Sequence, residues 1–283
     1  MKIGISGASG KFGKSVLAAL LAQGGEHQIV AISRTPGSAD GKIETRLGDY
    51  DRPETLASAY SGLDRLLLIP TADFAPGARS RQSKAAVQAA VAAGVGHIVI
   101  LSSPRTKAAA DPALAAAYWV AEQTLIAKAP AWTILRMNYF AESLADELRM
   151  AGEHAAIVGL GENKVAFVAR DDVAAAAAGM LLSEGHHGAI YNLTGPAAIS
   201  GAERAAIATK ITGRPFSFQP LPEAVLRGGL ANAGLPDGIA DIVIDIQTMF
   251  VEGAMNIVTG DIEKLSGSPA RPLEVTLAAA WGE

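Results

Sequence analysis

Seven residues near the amino terminus carry the clearest chemistry in the chain: Gly7-Ala8-Ser9-Gly10-Lys11-Phe12-Gly13. They follow a short apolar run, Lys2–Ser6, and lead into an apolar helical pattern over Phe12–Gln23. In that setting one glycine permits the tight turn out of a strand, and the next lets a pyrophosphate approach bare backbone. The third lets helix and strand pack closely. The first amides of the helix and its dipole then face the phosphates. The spacing of three plus three differs from G-x-G-x-x-G, but the same physics serves it. An overlapping pattern, Ala8 to Ser15, reads A-x-x-x-x-G-K-S and nearly matches a triphosphate loop, with Lys14 on the terminal phosphates and Ser15 on magnesium. That reading needs an acidic residue ending a buried strand to hold the metal. The later central strands end instead in Pro70-Thr71 and Ser102-Ser103, so a dinucleotide is the expected ligand.

The second strand predicts which dinucleotide. A site for NAD usually places Asp or Glu near the end of that strand, on the ribose 2′-hydroxyl. Here the strand ends Ile32-Ser33-Arg34-Thr35, and no acid follows before Asp40. Arg34 can fork onto a 2′-phosphate instead, which points to NADP(H).

These residues need a scaffold, and the hydrophobic pattern supplies one. Strands are expected at Lys2–Ser6, Gln28–Ser33, Ile43–Leu47, Arg65–Ile69, His97–Leu101 and Trp132–Met137. Helices are expected between them at Phe12–Gln23, Pro53–Tyr60, Ala78–Ala93 and Pro112–Lys128. Such alternation is the signature of βαβ units and a parallel sheet. The runs Leu66–Ile69 and Ile98–Leu101 lack a polar alternation, as central strands covered on both faces do. The fold class is thus α/β, a Rossmann-type doubly wound parallel sheet with a smaller C-terminal α+β lobe. The division expected is 1–150 for the dinucleotide domain and 151–283 for the lobe, with a soft boundary because Ala189–Leu193 can return to the sheet. In the second half helices are read at Arg170–Leu182 and Gly201–Thr212, and short strands at Lys164–Phe167 and Phe216–Phe218.

Composition narrows the classes further. With 49% hydrophobic and 18% charged residues, the chain reads as globular rather than disordered. A net charge of -4 argues against a broad nucleic-acid footprint. The absence of cysteine excludes disulfides, thiolate metal ligands and a cysteine nucleophile. Val16–Ala22 is apolar, but it stands behind a strand and a glycine turn, so it reads as a first buried helix and not as an export signal. No stretch reaches the roughly 18 uninterrupted apolar residues of a membrane span. A cytoplasmic protein is expected. His186-His187, between Gly185 and Gly188, reads as an exposed turn with no third ligand, so no metal is expected.

With these residues placed, the sequence resembles the atypical short-chain dehydrogenases of the NmrA-like group. It is most similar to their branch of type 2 NADPH:quinone oxidoreductases and triphenylmethane-reductase-like proteins. Gly7 to Gly13 stands where that family has G-A-[ST]-G-x-x-G, and Arg34 falls on its NADP arginine. Gly48-Asp49-Tyr50-Asp51 resembles the segment beside the adenine, and Ala93–Val99 leads into Ser102-Ser103 as the family's fifth strand does. Trp132–Asn138 parallels its T-I-L-R strand, whose end lies near the nicotinamide. Asn163–Asp172 and Tyr191–Pro196 resemble later segments. The resemblance implies cofactor contacts from Gly7, Ala8, Ser9, Gly10, Lys11, Phe12, Gly13, Arg34, Asp49, Tyr50, Ile69, Pro70, Thr71, Ser102, Ser103, Met137 and Asn138.

One departure bears on mechanism. Dehydrogenases with a standard acid use Tyr-x-x-x-Lys, in which lysine and cofactor lower the tyrosine pKa. None of the five tyrosines here has a lysine four residues on. Alignment of the helix on Ala121-Glu122 puts Tyr118 at the lysine's place and Leu114 at the tyrosine's. Quinone reduction survives that loss better than alcohol–ketone chemistry, because the product oxyanion is a weak base that water can protonate. The expected activity is NADPH-dependent hydride transfer to a quinone-like or other conjugated small molecule, with Tyr118, Asn138 and Tyr139 as candidate catalytic or cleft-lining residues. A non-catalytic NADP-binding redox sensor is the alternative; sugar-nucleotide epimerase chemistry fits the fold but lacks the catalytic pair. A homodimer is left open.

Overall fold

The chain is described by a computed structural model at residues 1–37, 43–73, 75–109 and 114–282. Asp40, and the first two residues of the helix expected from Pro112, lie outside the described residues. The first half forms β1 (Lys2–Ser6), α1 (Lys11–Gln23), β2 (Gln28–Ser33), β3 (Ile43–Leu47), α2 (Leu56–Tyr60), β4 (Arg65–Leu68), α3 (Ala78–Ala92), β5 (His97–Ser102), α4 (Leu114–Lys128) and β6 (Trp132–Met137). A 3₁₀ turn at Pro53–Thr55 leads into α2, with proline at the first helical position where its missing amide costs nothing.

The second half adds α5 (Ala141–Met150), β7 (Ala156–Gly159), β8 (Lys164–Val165), α6 (Arg170–Leu182), β9 (Ala189–Leu193), β10 (Ile199–Ser200), α7 (Gly201–Thr212) and β11 (Ser217–Pro220). Four helices complete it: α8 (Glu223–Asn232), α9 (Asp237–Val251), α10 (Asp261–Ser266) and α11 (Leu273–Gly282). The strand expected over Lys164–Phe167 is paired only at its first two residues. Beyond them the backbone bonds elsewhere, Ala166 N to Met255 O and Val168 N to Tyr139 O. The strand expected at Phe216–Phe218 lies at Ser217–Pro220, in parallel register with β7.

Seven parallel strands make one sheet in the order β3-β2-β1-β4-β5-β6-β9. Alternate residues of each strand feed opposite cores, as the period of two requires. Ile3, Ile5, Leu67, Val99, Leu101 and Leu135 pack under α1 and α6, against Val16, Leu20, Val173 and Ala177. Leu66, Leu68, Ile98, Ile100 and Ile134 face the other way, onto Tyr60, Val87, Ala90, Ala121 and Leu125 of α2, α3 and α4. Both faces are therefore covered, which makes the fold a doubly wound Rossmann-type α/β structure. β9 pairs with β6 from Thr133↔Ala189 to Met137↔Leu193, so the second half supplies an edge strand and α6 to the sheet. A third core, among α5, β7, α7, α9 and α11, holds Leu144, Ile157, Phe167, Ala208, Phe250 and Leu277.

Strand order reverses between β1 and β4. From β1 the chain moves outward to β2 and β3, then returns to β4 and moves the other way. At such a switch point the connections leave on opposite sides and a crevice opens beyond the carboxyl ends of the strands.

The opposite, amino edge of the sheet gathers histidines. His97 Nε2 lies 2.8 Å from Thr133 Oγ1, which donates to the His186 carbonyl at 2.6 Å. His186 itself is bonded through Nδ1 to the Tyr191 hydroxyl at 2.8 Å and through Nε2 to Ser183 Oγ at 2.9 Å. Among the described residues no group of His, Asp or Glu is arranged to hold a metal. Burial, then the neighbouring Arg65 guanidinium, lower the His97 pKa from 6.5 to about 4. The neutral ring thus stabilises the fold fully above the ordinary histidine pKa, and that contribution drains away as pH falls from about 6.5 to about 4. After allowance for screening at the half-exposed ring, about 1–2 kcal/mol is expected to be lost across this window. Urea unfolding at pH 7 and 4.5 checks this: the wild type should lose that much more than His97→Gln, and equal losses would discharge His97 as the titrating group.

Candidate functional site

β1 ends at Ser6, and the backbone turns at Gly7 with φ +89°, a conformation that strains any residue with a side chain. The amides of Gly7 and Ala8 both donate to the Ile32 carbonyl, at 3.0 and 3.1 Å, which ties the turn to β2. At Gly13 a Cβ would stand 2.4 Å from the Gly7 carbonyl oxygen and 2.7 Å from Ala8 Cα. The first turn of α1 therefore rests directly on the strand-to-helix turn, and only glycine allows it.

Gly10 is different. A Cβ there would meet nothing closer than the Gly7 oxygen at 3.5 Å, so the protein's own packing does not demand glycine. Gly10 is the N-cap of α1, with no side-chain cap and no acidic residue in the first turn. The amides that begin this helix, with the positive end of its dipole, are thus directed at the space beyond Gly10.

That space is a cavity of about 310 Å³ at the switch point. One wall is the turn itself: Gly7, Ser9, Gly10, Lys11, Phe12 and Gly13. The end of β2 adds Ser33 and the exposed Arg34; the loop after β3 adds Gly48–Asp51; the loop after β4 adds Ile69–Ala72. Gln82 reaches in from α3. The sequence singles out most of this lining. Ala8 is instead buried beneath the turn and does not line the cavity. Gln82 carried no sequence signal, because it sits inside a helix whose position over the β3 and β4 loops only the fold establishes.

The loops are clasped to one another. The Tyr50 hydroxyl donates to the Ile69 carbonyl at 3.0 Å, and burial pushes its pKa up to about 12, so it stays a neutral donor. Gln82 Nε2 donates to Asp51 Oδ1 at 2.5 Å and to Asp73 Oδ2 at 3.2 Å. Asp49 holds Arg52 at 3.2 Å, and its own amide donates to Thr55 Oγ1 at 3.0 Å.

The remaining candidates from the sequence lie further along the carboxyl edge and do not line this cavity. Ser102, fully buried, donates its hydroxyl to Glu122 Oε1 at 2.6 Å, and Ser103 is buried beside it. Glu122, 1% exposed, takes a bidentate ion pair from Arg136, Nε at 2.9 Å and Nη2 at 2.6 Å. Met137 ends β6. Asn138 donates Nδ2 to Ala166 O at 3.1 Å and Met255 O at 3.0 Å, and its buried Oδ1 has no partner among the described residues. Tyr139 donates its hydroxyl to Glu147 Oε1 at 2.7 Å, with its ring edge-on to Phe250 and Phe167. Burial raises the pKa of both Tyr139 and Glu147. Tyr118 lies under Arg79, whose guanidinium is 5.2 Å from the ring centre and whose Nη2 is 3.4 Å from the hydroxyl. A stack of Phe12 on Phe140 at 6.0 Å joins the glycine turn to the segment after β6.

The Glu122–Arg136 pair fixes the ends of β5 and β6 relative to α4. Loss of the arginine strands a buried carboxylate, which costs about 3–5 kcal/mol. Arg136→Met should therefore lower the unfolding free energy by that amount in a urea titration. Glu122→Gln, which leaves the half-exposed arginine hydrated and keeps an acceptor for Ser102, should cost less. The reverse order would show that the pair does not carry this wall.

Comparison with known proteins identifies the family and the fold. The NAD(P)H-binding family matches residues 7–184. Quinone oxidoreductase 2 of Escherichia coli (strain K12) is 34% identical over 277 residues, covering 96% of each chain. The crystal structure of the NADPH-dependent quinone oxidoreductase from Escherichia coli, complexed with NADPH, superposes with a TM-score of 0.89 at 33% identity, covering 98% of this chain and 99% of that one. The triphenylmethane reductase of Citrobacter sp., complexed with NADP(H), gives a TM-score of 0.85 at 30% identity, covering 99% and 100%. The family match over residues 7–184, which begins at the glycine turn, and a relative 34% identical over 96% of each chain make this protein a member of the NAD(P)H-binding family.

Proposed function

We propose that the protein is an NADPH-dependent oxidoreductase that passes hydride to a quinone-like or other planar, conjugated small molecule. The observation that carries this is the cavity with a bare helix amino terminus at Gly10 and, at the end of β2, Arg34 where NAD-preferring sites place an acid. Both features fit the cofactor: the helix amides suit a pyrophosphate, and the guanidinium suits a 2′-phosphate. The cofactors named for the two solved relatives, NADPH and NADP(H), support the choice.

When bound, NADPH supplies a hydride that, with one proton, converts a quinone to a hydroquinone. The chain's own part is to hold, orient and exclude water. Gly10 leaves backbone open to the phosphates, and Phe12 and Phe140 carry an apolar surface from the turn to the end of β6. The contact we assign to Ser102, Ser103, Met137 and Asn138 lies beyond this cavity on the same edge, with the Ser102 hydroxyl already given to Glu122. Asn138, Tyr139 and Tyr118 shape the acceptor side. The Tyr139 hydroxyl hydrogen is held by Glu147, so the proton for the product oxyanion comes from water or from Tyr118, whose hydroxyl accepts from Arg79 and keeps its own hydrogen. Residues 151–283, apart from what they lend to the sheet, act as the acceptor-side lobe. We place the activity in the cytoplasm with its reduced dinucleotide pool. A redox sensor is the second reading, favoured by the absence of a tyrosine–lysine pair and by the engagement of the Tyr118 and Tyr139 hydroxyls within the protein.

Parallel fluorescence titrations with NADPH and NADH test the cofactor assignment. NADPH should bind at least about tenfold more tightly, and Arg34→Ala should weaken NADPH by about ten- to a hundredfold while leaving NADH unchanged. An unchanged preference in the variant would remove Arg34 from the site. Gly10→Ala should keep the wild-type unfolding midpoint yet weaken both dinucleotides, because its methyl group enters ligand space and not protein. Consumption of NADPH with a panel of quinones separates enzyme from sensor: binding without oxidation of the cofactor would favour the sensor.

A further inference from the structure

Gln82 stands out among the residues around the cavity. Its side chain is 2% exposed, yet its Oε1 has no hydrogen-bond partner among the described residues. Its orientation is not arbitrary. Nε2 donates to two carboxylates, Asp51 from the loop after β3 and Asp73 from the loop after β4. Reversal of the amide would set an acceptor against both of them, so the nitrogen is fixed and the oxygen must lie on the other side. A buried acceptor with no donor is costly, and one carried by a residue of a cavity wall is in place to take a donor from a ligand there.

Gln82 lines the same cavity as Gly10 and Arg34, but from the wall where the loops after β3 and β4 close together. Tyr50, Ile69 and Pro70 line that part and offer flat apolar surface. On the adenosine half of a dinucleotide the donors are the sugar hydroxyls and the exocyclic amino group of the base. The ribose that carries the 2′-phosphate belongs beside Arg34 at the end of β2, whereas a planar base suits the apolar walls. We infer that Gln82 Oε1 accepts a hydrogen bond from the exocyclic amino group of the cofactor's adenine, and that Asp51 and Asp73 hold the amide in the orientation that reads it. The inference rests on the cofactor reading of this cavity and adds a base-discriminating residue to it.

The analogue in which hypoxanthine replaces adenine tests this by binding alone. Its carbonyl oxygen would face Oε1, two acceptors without a hydrogen between them. The wild type should bind the reduced hypoxanthine dinucleotide phosphate at least about tenfold more weakly than NADPH in a fluorescence titration. Gln82→Met should weaken NADPH about tenfold, leave the analogue nearly unchanged, and so abolish the discrimination. Asp51→Asn combined with Asp73→Asn, which together free the amide to turn over, should reduce it. Equal binding of both dinucleotides to the wild type would overturn the role of Gln82 and leave the cofactor site intact, and that comparison needs no variant to fold. Discrimination that persists undiminished in a folded Gln82→Met would also overturn it. Failure of the wild type to bind either dinucleotide would instead overturn the cofactor reading, and this inference with it.

Discussion

The contact on which the rest depends is the seat of α1 on the turn after β1. With the Gly7 carbonyl 2.4 Å from where a Gly13 Cβ would be, the helix cannot approach β1 unless residue 13 lacks a side chain. That approach puts Val16 and Leu20 into the sheet's first core and fixes the helix amino terminus at the carboxyl edge. Any retreat of the helix would open the core and move the first amides away from the crevice together. Stability and ligand geometry are therefore coupled through one atom's worth of space.

Around that seat the carboxyl edge is held by polar contacts that join distant segments. Tyr50 to Ile69, Gln82 to Asp51 and Asp73, Ser102 and Arg136 to Glu122, and Asn138 to Ala166 and Met255 each tie separate loops, strand ends or helices together. A loop rim of this kind would otherwise be the least ordered part of an α/β fold. Side-chain amides and carboxylates take the place that ladder hydrogen bonds hold within the sheet. Of the three buried amides among the described residues whose oxygen has no partner, Gln82 and Asn138 belong to this rim, and Gln247 lies on α9.

The second half of the chain is not a simple appendage. α6 packs its alanines beside α1 and completes one face of the sheet, and β9 closes its far edge against β6. The remaining elements gather around a separate aromatic core where Tyr139, Phe167 and Phe250 meet edge to face. Tyr139 thereby joins the residue after the sheet edge to that core, while Phe12 and Phe140 join the same edge to the glycine turn. Among the described residues no helix is long and apolar enough to cross a membrane.

Much of this was determined by the sequence alone, wherever the cause is local. The strand–turn–helix around Gly7, Gly10 and Gly13 follows from backbone sterics over a few residues, and Arg34 at the end of β2 follows from the spacing of one βαβ unit. The six strands of the first half and their helices follow from the period of apolar residues. In the second half, where short strands and helices carry little periodicity, α5 and the helices after Leu221 escaped that reading, and the ladder at Lys164 ended early because Ala166 and Val168 found partners far away. Only the tertiary structure decided which polar groups meet. Ser102 bonded to Glu122, the Tyr139 proton on Glu147, and Gln82 between two loops are pairings across 8 to 31 residues that no local pattern encodes. Local sterics and periodicity are written in neighbouring residues; hydrogen bonds between loops are set by where the sheet's register and the helix packing bring those loops together.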